Sequence, residues 1–360
     1  MIAANAPLQR RGDAKLLVID ANARITHAPR STLAERLRRY DLVVANDAIT
    51  LPASLAGIHS RTGHAIEVRL AGCRTMVGEA IGRFTAVVLG AGDFRTRTED
   101  RPLPPALESG DGLVLGPLRA VIERLLDHPR LIALRLEGSP ASIWDGIARH
   151  GRPIQYAHMP APLALWDVWT PIAGAPLAFE PPSAGFVLDW KMLAAIRARG
   201  TQFATLTHAA GLSSTGDAEL DRRLPLDEPY RITVATARAI TETKRRGGRV
   251  IAVGTTVVRA LEHAVSGDGA IHAGAAIATQ RLGAATTLRV VDAIVSGTHD
   301  PGTSHYELLR AFADDLTLRQ AASELDACGY RTHEFGDSVF IERSARCVEC
   351  ATRDAPRLAA

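Results

Sequence analysis

Four polar groups stand where apolar runs of the sequence give out. They are Asn46-Asp47 after Leu42–Ala45, Thr207-His208 after Phe203–Leu206, Gly254-Thr255-Thr256 with Arg259 after Arg249–Val253, and Ser296–His299 after Leu288–Val295. In open parallel sheets, ligands bind beyond the carboxyl ends of the strands, so four such ends define one candidate site. A glycine turn that opens a helix carrying an arginine in its first turns offers free N–H groups and a guanidinium, which suits a carboxylate or another anion. His208 and His299 can give or take a proton near neutral pH. Glu228, just before Pro229-Tyr230, and Asp337, after Gly336, are carboxylates that can act as a base or orient a histidine. Each residue also has a plain structural explanation. Thr255 or Thr256 serves as a helix N-cap, Arg259 as a surface arginine, and His208 and His299 as core histidines. Glu228 then reads as a solvated loop carboxylate and Asp337 as a turn residue. The weight lies on their convergence.

The elements that must position these groups alternate in type. Leu16–Ile19 and Leu42–Ala45 read as strands, with a helix between them around Ser31–Arg39. From about residue 53 to 151 the texture changes. Short apolar segments (Ala65–Leu70, Phe84–Leu89, Leu131–Leu136) alternate with Gly, Pro and charged turns, the pattern of a small antiparallel barrel or sandwich. Proline-rich Arg101–Leu107 reads as a surface loop. Beyond Gly151, Trp190–Arg199 is helical and stops at Gly200, Phe203–Leu206 is a strand, and Thr233–Arg246 is a helix ending at Gly247-Gly248. Arg249–Val253 and Leu288–Val295 are further strands, and a helix starts at His305. Strand–loop–helix alternation predicts an α/β fold with a mainly parallel sheet, carrying an inserted small antiparallel β domain. The predicted organisation is a discontinuous α/β domain (1–52 and 152–345), an inserted β-rich domain (53–151) and a C-terminal tail (346–360).

Composition sets the outer limits. A chain of 360 residues, 46% hydrophobic and 22% charged, has room for two domains with sizeable cores. Of 42 basic residues only Lys15, Lys191 and Lys244 are lysines, and arginine's planar fork suits phosphate and carboxylate recognition. The net charge of +3 does not itself mark a nucleic-acid binder. Clusters at Arg36, Arg38 and Arg39, at Arg222 and Arg223, and at Arg245, Arg246 and Arg249 read as solvated helix faces or as a nucleic-acid footprint. No apolar run approaches the ~20 residues needed to cross a bilayer, and no apolar signal core opens the chain, so a cytoplasmic protein is expected. Cys347 and Cys350 form a C-x-x-C pair without the second pair or histidine of a zinc site, so no metal is expected. Gly90-Ala91-Gly92 is no dinucleotide fingerprint, and P-loop, H-E-x-x-H and G-x-S-x-G motifs are absent.

The run Arg249–Glu262, with Gly254-Thr255-Thr256-Val257-Val258-Arg259 at its heart, resembles the G-T-T-x-V-R segment of S-adenosylmethionine:tRNA ribosyltransferase-isomerases of the queuosine pathway. Other segments follow in the family's order. Leu42–Leu55 resembles its L-V-F-N-N-T-R-V-I-P-A-R-L stretch, Gly63–Leu70 its G-K-I-E-V-L-L strand, and Pro182-Ser183-Ala184-Gly185 its P-T-A-G. Thr205–Gly211 resembles T-L-H-V-G-x-G, Val290–Ala293 with His299 and Pro301 resembles V-V-D-A-L-x-T-N-F-H-L-P, and Tyr330–Asp337 resembles Y-R-F-x-x-Y-G-D. The match spans about residues 11–343. It implies an α/β domain with an inserted β-barrel. It also implies an enzyme that moves the ribosyl part of S-adenosylmethionine onto the aminomethyl group of a 7-deazaguanine in tRNA, rearranging the sugar and releasing adenine and methionine. S-adenosylmethionine is the co-substrate, and no other cofactor is implied. Asn46, Asp47, Ser183, Gly185, Gly254, Thr255, Thr256 and Arg259 are then expected to bind substrate, with Arg259 and the Gly254 turn on the methionine carboxylate. His208, Glu228, His299 and Asp337 are expected to share the acid–base work.

The departures from the family bear on the acceptor. N-N-T-R appears as Asn46-Asp47-Ala48-Ile49, the histidine after P-T-A-G-L as Val187, H-S-E as Leu226-Asp227-Glu228, and T-N-F-H as Ser296-Gly297-Thr298-His299. Unpaired polar partners cost about 1–3 kcal/mol each, so such losses change which substrate is bound. Two other readings therefore stand beside the family reaction. One is a paralogue that uses S-adenosylmethionine on a small-molecule acceptor or cleaves it without one. The other is a non-catalytic protein that binds S-adenosylmethionine or a nucleoside.

Overall fold

The computed structural model describes residues 1–7, 13–73, 75, 81–267 and 269–344; the tail with Cys347 and Cys350 lies outside them. Its centre is a nine-stranded sheet. In spatial order the strands are Gly274–Ala278, Glu228–Ile232, Gln202–His208, Leu42–Asn46, Val250–Val253, Ala293–Gly297, Ser338–Glu342, Lys15–Ile19 and Ile25–Pro29. The four from Gln202–His208 to Ala293–Gly297 run parallel. Ser338–Glu342 is antiparallel to Ala293–Gly297 and parallel to Lys15–Ile19, and the outermost pairs are antiparallel. The sheet is thus parallel through its middle, where the polar strand ends lie, and mixed toward its edges.

The continuous apolar runs are explained by burial on both faces. Leu42, Val44, Val250 and Ala252 belong to one core, while Val43, Ala45, Ile251 and Val253 belong to the other, alternating with the strand period of two. Helices Val234–Arg245, Thr255–Ala264 and Asp315–Ala327 cover the first face. Helix Trp190–Ala198 and the 3-10 segment Arg30–Arg36 cover the second. That 3-10 segment replaces the helix expected over Ser31–Arg39. The strand expected over Leu288–Val295 begins only at Ala293. The N–H groups of Arg289, Val290 and Val291 donate to the Glu262 carboxylate (2.8–2.9 Å), so this stretch is held by a side chain instead of a ladder.

Between Leu42–Asn46 and Gln202–His208 the chain builds a closed six-stranded antiparallel barrel. Its strands are Ser54–His59, Ala65–Gly72, Arg83–Leu89, Gly112–Leu115, Leu118–Leu126 and His128–Leu136. Inward residues such as Leu55, Val68, Ala86, Val88, Leu115, Ile122 and Leu134 are fully buried. Helix Pro140–His150, capped by the Ser139 hydroxyl, lays Ile143 and Ile147 on the same core. The chain then returns beside its point of departure, where Ser54 and Arg152 exchange two backbone hydrogen bonds of 2.9 Å. The proline-rich loop after residue 101 is anchored rather than free. Arg101 is buried and bonds the Glu67 carboxylate, which also receives Arg69 (2.7 Å).

Candidate active site

The carboxyl ends of the central parallel strands open on a cavity at one edge of the sheet. Its wall includes Glu180, Ser183, Ser213, Glu228, Gly254, Thr255, Thr256, Arg259, Ser296, His299 and His305. Gly254 follows the Val250–Val253 strand and caps helix Thr255–Ala264 with φ +98°, a conformation that glycine adopts without strain. No side chain caps this helix end, so neither threonine is its N-cap, and both face the cavity.

Arg259 is not a surface residue. It is 3% exposed, and its guanidinium donates to the Glu228 carboxylate and to the carbonyls of Gln280 (3.0 Å) and Ala278 (2.8 Å). Glu228, buried in strand Glu228–Ile232, also accepts the Gly211 N–H at 2.6 Å. Burial pushes its carboxyl up, against the pull of Arg259. His208 stands behind this pair, with Nε2 3.5 Å from the Glu228 carboxylate and its ring stacked on Tyr230. Among the described residues neither of its ring nitrogens has a hydrogen-bond partner. Burial, with Arg259 adding to it, holds His208 down to about 3, so the imidazole is neutral.

His299 reaches the cavity from the end of strand Ala293–Gly297. Its Nε2 is 3.0 Å from the Ser296 hydroxyl, and its ring stacks on His305 with centroids 4.7 Å apart. Burial, then His305 and His333, keep it well below the ordinary histidine range. His305 is likewise lowered by burial.

Besides His208, three expected polar site residues lie off the cavity wall. Asn46 is a buried clamp: its Oδ1 accepts the N–H of Ala48 (3.1 Å) and His208 (2.9 Å), and its Nδ2 donates to the His208 carbonyl (2.9 Å) and to Thr256 (3.4 Å). Asp47 accepts the hydroxyls of Thr205 and Thr207 at 2.8 and 2.7 Å. Asp337 is buried, with its oxygens taken by the N–H groups of Lys15 (2.9 Å) and Arg331 (2.8 Å), and it is not on the cavity wall. In each case the polar group ties neighbouring strand ends together. Ser183 lies on the wall, whereas Gly185 sits beneath it, where a Cβ would come within 3.0 Å of Thr170.

Two residues of the wall carried no individual signal in the sequence. His305 stood only for a helix start, and Glu180 precedes two prolines in a stretch without periodicity. Glu180 is 6% exposed and accepts the Ser213 N–H at 3.0 Å. Its other oxygen meets the Tyr156 hydroxyl, which also lies 3.0 Å from the Ser214 carbonyl. Burial, with the Glu334 charge adding to it, pushes Glu180 up to about 7.

Ser213 is shared with an adjoining chamber lined by Arg97, Glu99, Tyr156, His158, His333 and Glu334. There His158, His333 and Glu334 bring ligand-type atoms within 4.8 Å of one another. The His158 ring lies 19° from parallel on His333 at 4.4 Å, and its Nε2 is 3.1 Å from the Glu334 carboxylate. The trio is a stacked histidine pair closed by the Glu334 carboxylate.

A family model described as queuosine biosynthesis protein matches residues 1–341. Similar proteins bear the name S-adenosylmethionine:tRNA ribosyltransferase-isomerase. One from Thiobacillus denitrificans is 30% identical over 349 residues, covering 95% of this chain and 94% of the relative. One from Pelobacter propionicus is 31% identical (94% and 96%), and one from Sorangium cellulosum is 32% identical (94% of each). A crystal structure of an S-adenosylmethionine tRNA ribosyltransferase from Thermotoga maritima, 22% identical, aligns over 94% of this chain and 96% of its own with a TM-score of 0.49.

Proposed function

The chain belongs to the queuosine biosynthesis protein family, and on that premise we propose that it is an S-adenosylmethionine-dependent ribosyltransferase-isomerase acting on tRNA. It transfers the ribosyl part of S-adenosylmethionine to the aminomethyl group of a 7-deazaguanine, rearranges it, and releases adenine and methionine. The observation that carries this is the convergence of the Gly254 turn, the Glu228–Arg259 pair and His299 on one cavity at the ends of parallel strands. The open N–H groups of helix Thr255–Ala264 suit the methionine carboxylate, with Arg259 fixing the wall beside them. His299 and Glu228 are the acid–base candidates that reach the cavity. His208 supports Glu228 from behind. This reading requires no cofactor beyond S-adenosylmethionine, and it places the protein in the cytoplasm with its tRNA.

A second reading keeps S-adenosylmethionine and changes the acceptor to a small molecule. It is favoured by Val187, which is buried in the sheet core, and by Leu226, which packs on the barrel core, at two positions where the family carries polar groups. Incubation with S-adenosylmethionine, with and without tRNA, tests both. Adenine release that depends on tRNA supports the first, and tRNA-independent release supports the second. Binding without release would leave neither standing.

A further inference from the structure

We propose that Glu180 enters the reaction as a neutral carboxylic acid and donates the proton that adenine needs to leave. The inference rests on the transferase reading above and extends it to a residue outside the expected acid–base set. Glu180 lines the same cavity as Glu228 and His299. Among the described residues it forms no ion pair with an arginine or lysine, in contrast to Glu228, whose carboxylate is held by Arg259.

The protonation state follows from a count of hydrogens. The Tyr156 hydroxyl lies within hydrogen-bond distance of two acceptors, a Glu180 oxygen and the Ser214 carbonyl, but has one hydrogen to give. Both contacts are full hydrogen bonds when Glu180 supplies its own proton. Glu180 then donates to the Tyr156 oxygen, and Tyr156 donates to Ser214. The second Glu180 oxygen accepts from Ser213 in either state. Burial of the carboxyl and the nearby Glu334 charge act in the same direction.

In the step itself the bond between the ribose carbon and adenine breaks, and its electron pair leaves with adenine. The Glu180 proton goes to an adenine ring nitrogen, so neutral adenine departs and a carboxylate remains. The Tyr156 hydroxyl turns from Ser214 to that carboxylate and stabilises it. A proton from solvent, reaching the cavity after adenine leaves, restores the acid.

The charged and titratable groups facing Glu180 are Tyr156, Glu334 and Arg69 on its inner side, and Glu228, His299 and His305 across the cavity. The test is the pH dependence of adenine release from S-adenosylmethionine, read with infrared detection of protonated carboxyl. The wild-type kcat is expected to fall as pH rises through about 7, where Glu180 loses its proton. Glu180→Gln should keep its affinity for S-adenosylmethionine within about threefold, lose roughly 100-fold or more in kcat, and lose that falling limb. Tyr156→Phe removes a donor to the carboxylate, so its limb should move to higher pH and its turnover should fall below that of the wild type. Without any substrate, the infrared band of a protonated carboxyl should titrate near pH 7 in the wild type and be missing in Glu180→Gln. If Glu180→Gln turns over within threefold of wild type with the limb in place, or shows the same infrared titration, the proposal is overturned while the transferase reading stands. A wild-type protein that releases no adenine, with or without tRNA, overturns the transferase reading and this acid role with it.

Discussion

The Glu228–Arg259 pair sits in the wall of the cavity with both side chains under a tenth exposed. Removing one partner from a buried ion pair leaves the other charge uncompensated, at about 3–5 kcal/mol. Arg259→Ala should therefore lose stability on that scale in chemical denaturation and weaken S-adenosylmethionine binding at least tenfold by calorimetry. Combining it with Glu228→Gln should restore part of the stability, and strict additivity would refute the coupling. His208 supplies a pH signature. Its folded value near 3 lies below the ordinary 6.5, so the unfolded chain binds the extra proton first. Its contribution is present above pH 6.5 and is lost as pH falls toward 3, with an upper bound of about 5 kcal/mol. His208→Asn should flatten that acid slope in denaturant titrations. At this scale the sequence revealed residue types at strand ends but not their partners. Glu228 and Arg259 are 31 positions apart, and nothing local says that they meet. Asn46, Asp47 and Asp337 were found where polar groups gather, yet their hydrogen bonds go to the protein. Glu180 and His305 owe their place on the wall to tertiary packing alone.

At the level of elements, the Gly254 turn joins a buried strand to the helix whose first residues line the cavity. A Cβ there would be 3.5 Å from Ala184, ordinary contact, so the cost of Gly254→Ala is the positive-φ extended backbone itself, which is nearly confined to glycine, at about 1–3 kcal/mol. The expected outcome is a lower Tm together with weaker S-adenosylmethionine binding, because the turn that aims the N–H groups shifts. An unchanged affinity would show that the helix start does not contact the ligand. Strands with apolar residues on both faces were legible in the sequence because two-sided burial leaves a continuous run, and the barrel strands showed as short segments between turns. The stretch before Ala293, with Leu288, Val290 and Val291, has the apolar content of a strand despite Arg289 and Asp292. Its N–H groups answer to Glu262, a partner 27 to 29 residues away, and periodicity carries no trace of that.

Across the whole molecule, the barrel is a complete closed unit set into the path between two neighbouring strands. Leu42–Asn46 pairs with Gln202–His208 and Val250–Val253, while Ser54 and Arg152 lie side by side where the barrel begins and ends. This arrangement has a consequence in time. The barrel is assembled from strands close in sequence, whereas Leu42–Asn46 must wait for partners more than 150 residues downstream, and loop closure over such distances is slow. During synthesis the barrel can close while the sheet's central strand is still without its parallel neighbours. Once closed, the barrel holds residues 54 and 152 together, so the effective loop between Leu42–Asn46 and Gln202–His208 shrinks by roughly the length of the insertion. Pulse-labelled hydrogen exchange during refolding should therefore protect amides of Ala65–Gly72 and Arg83–Leu89 before those of Leu42–Asn46. A substitution that unfastens the barrel, such as Glu67→Gln beneath Arg69 and Arg101, should slow the later phase as well as the first, although it lies outside the sheet.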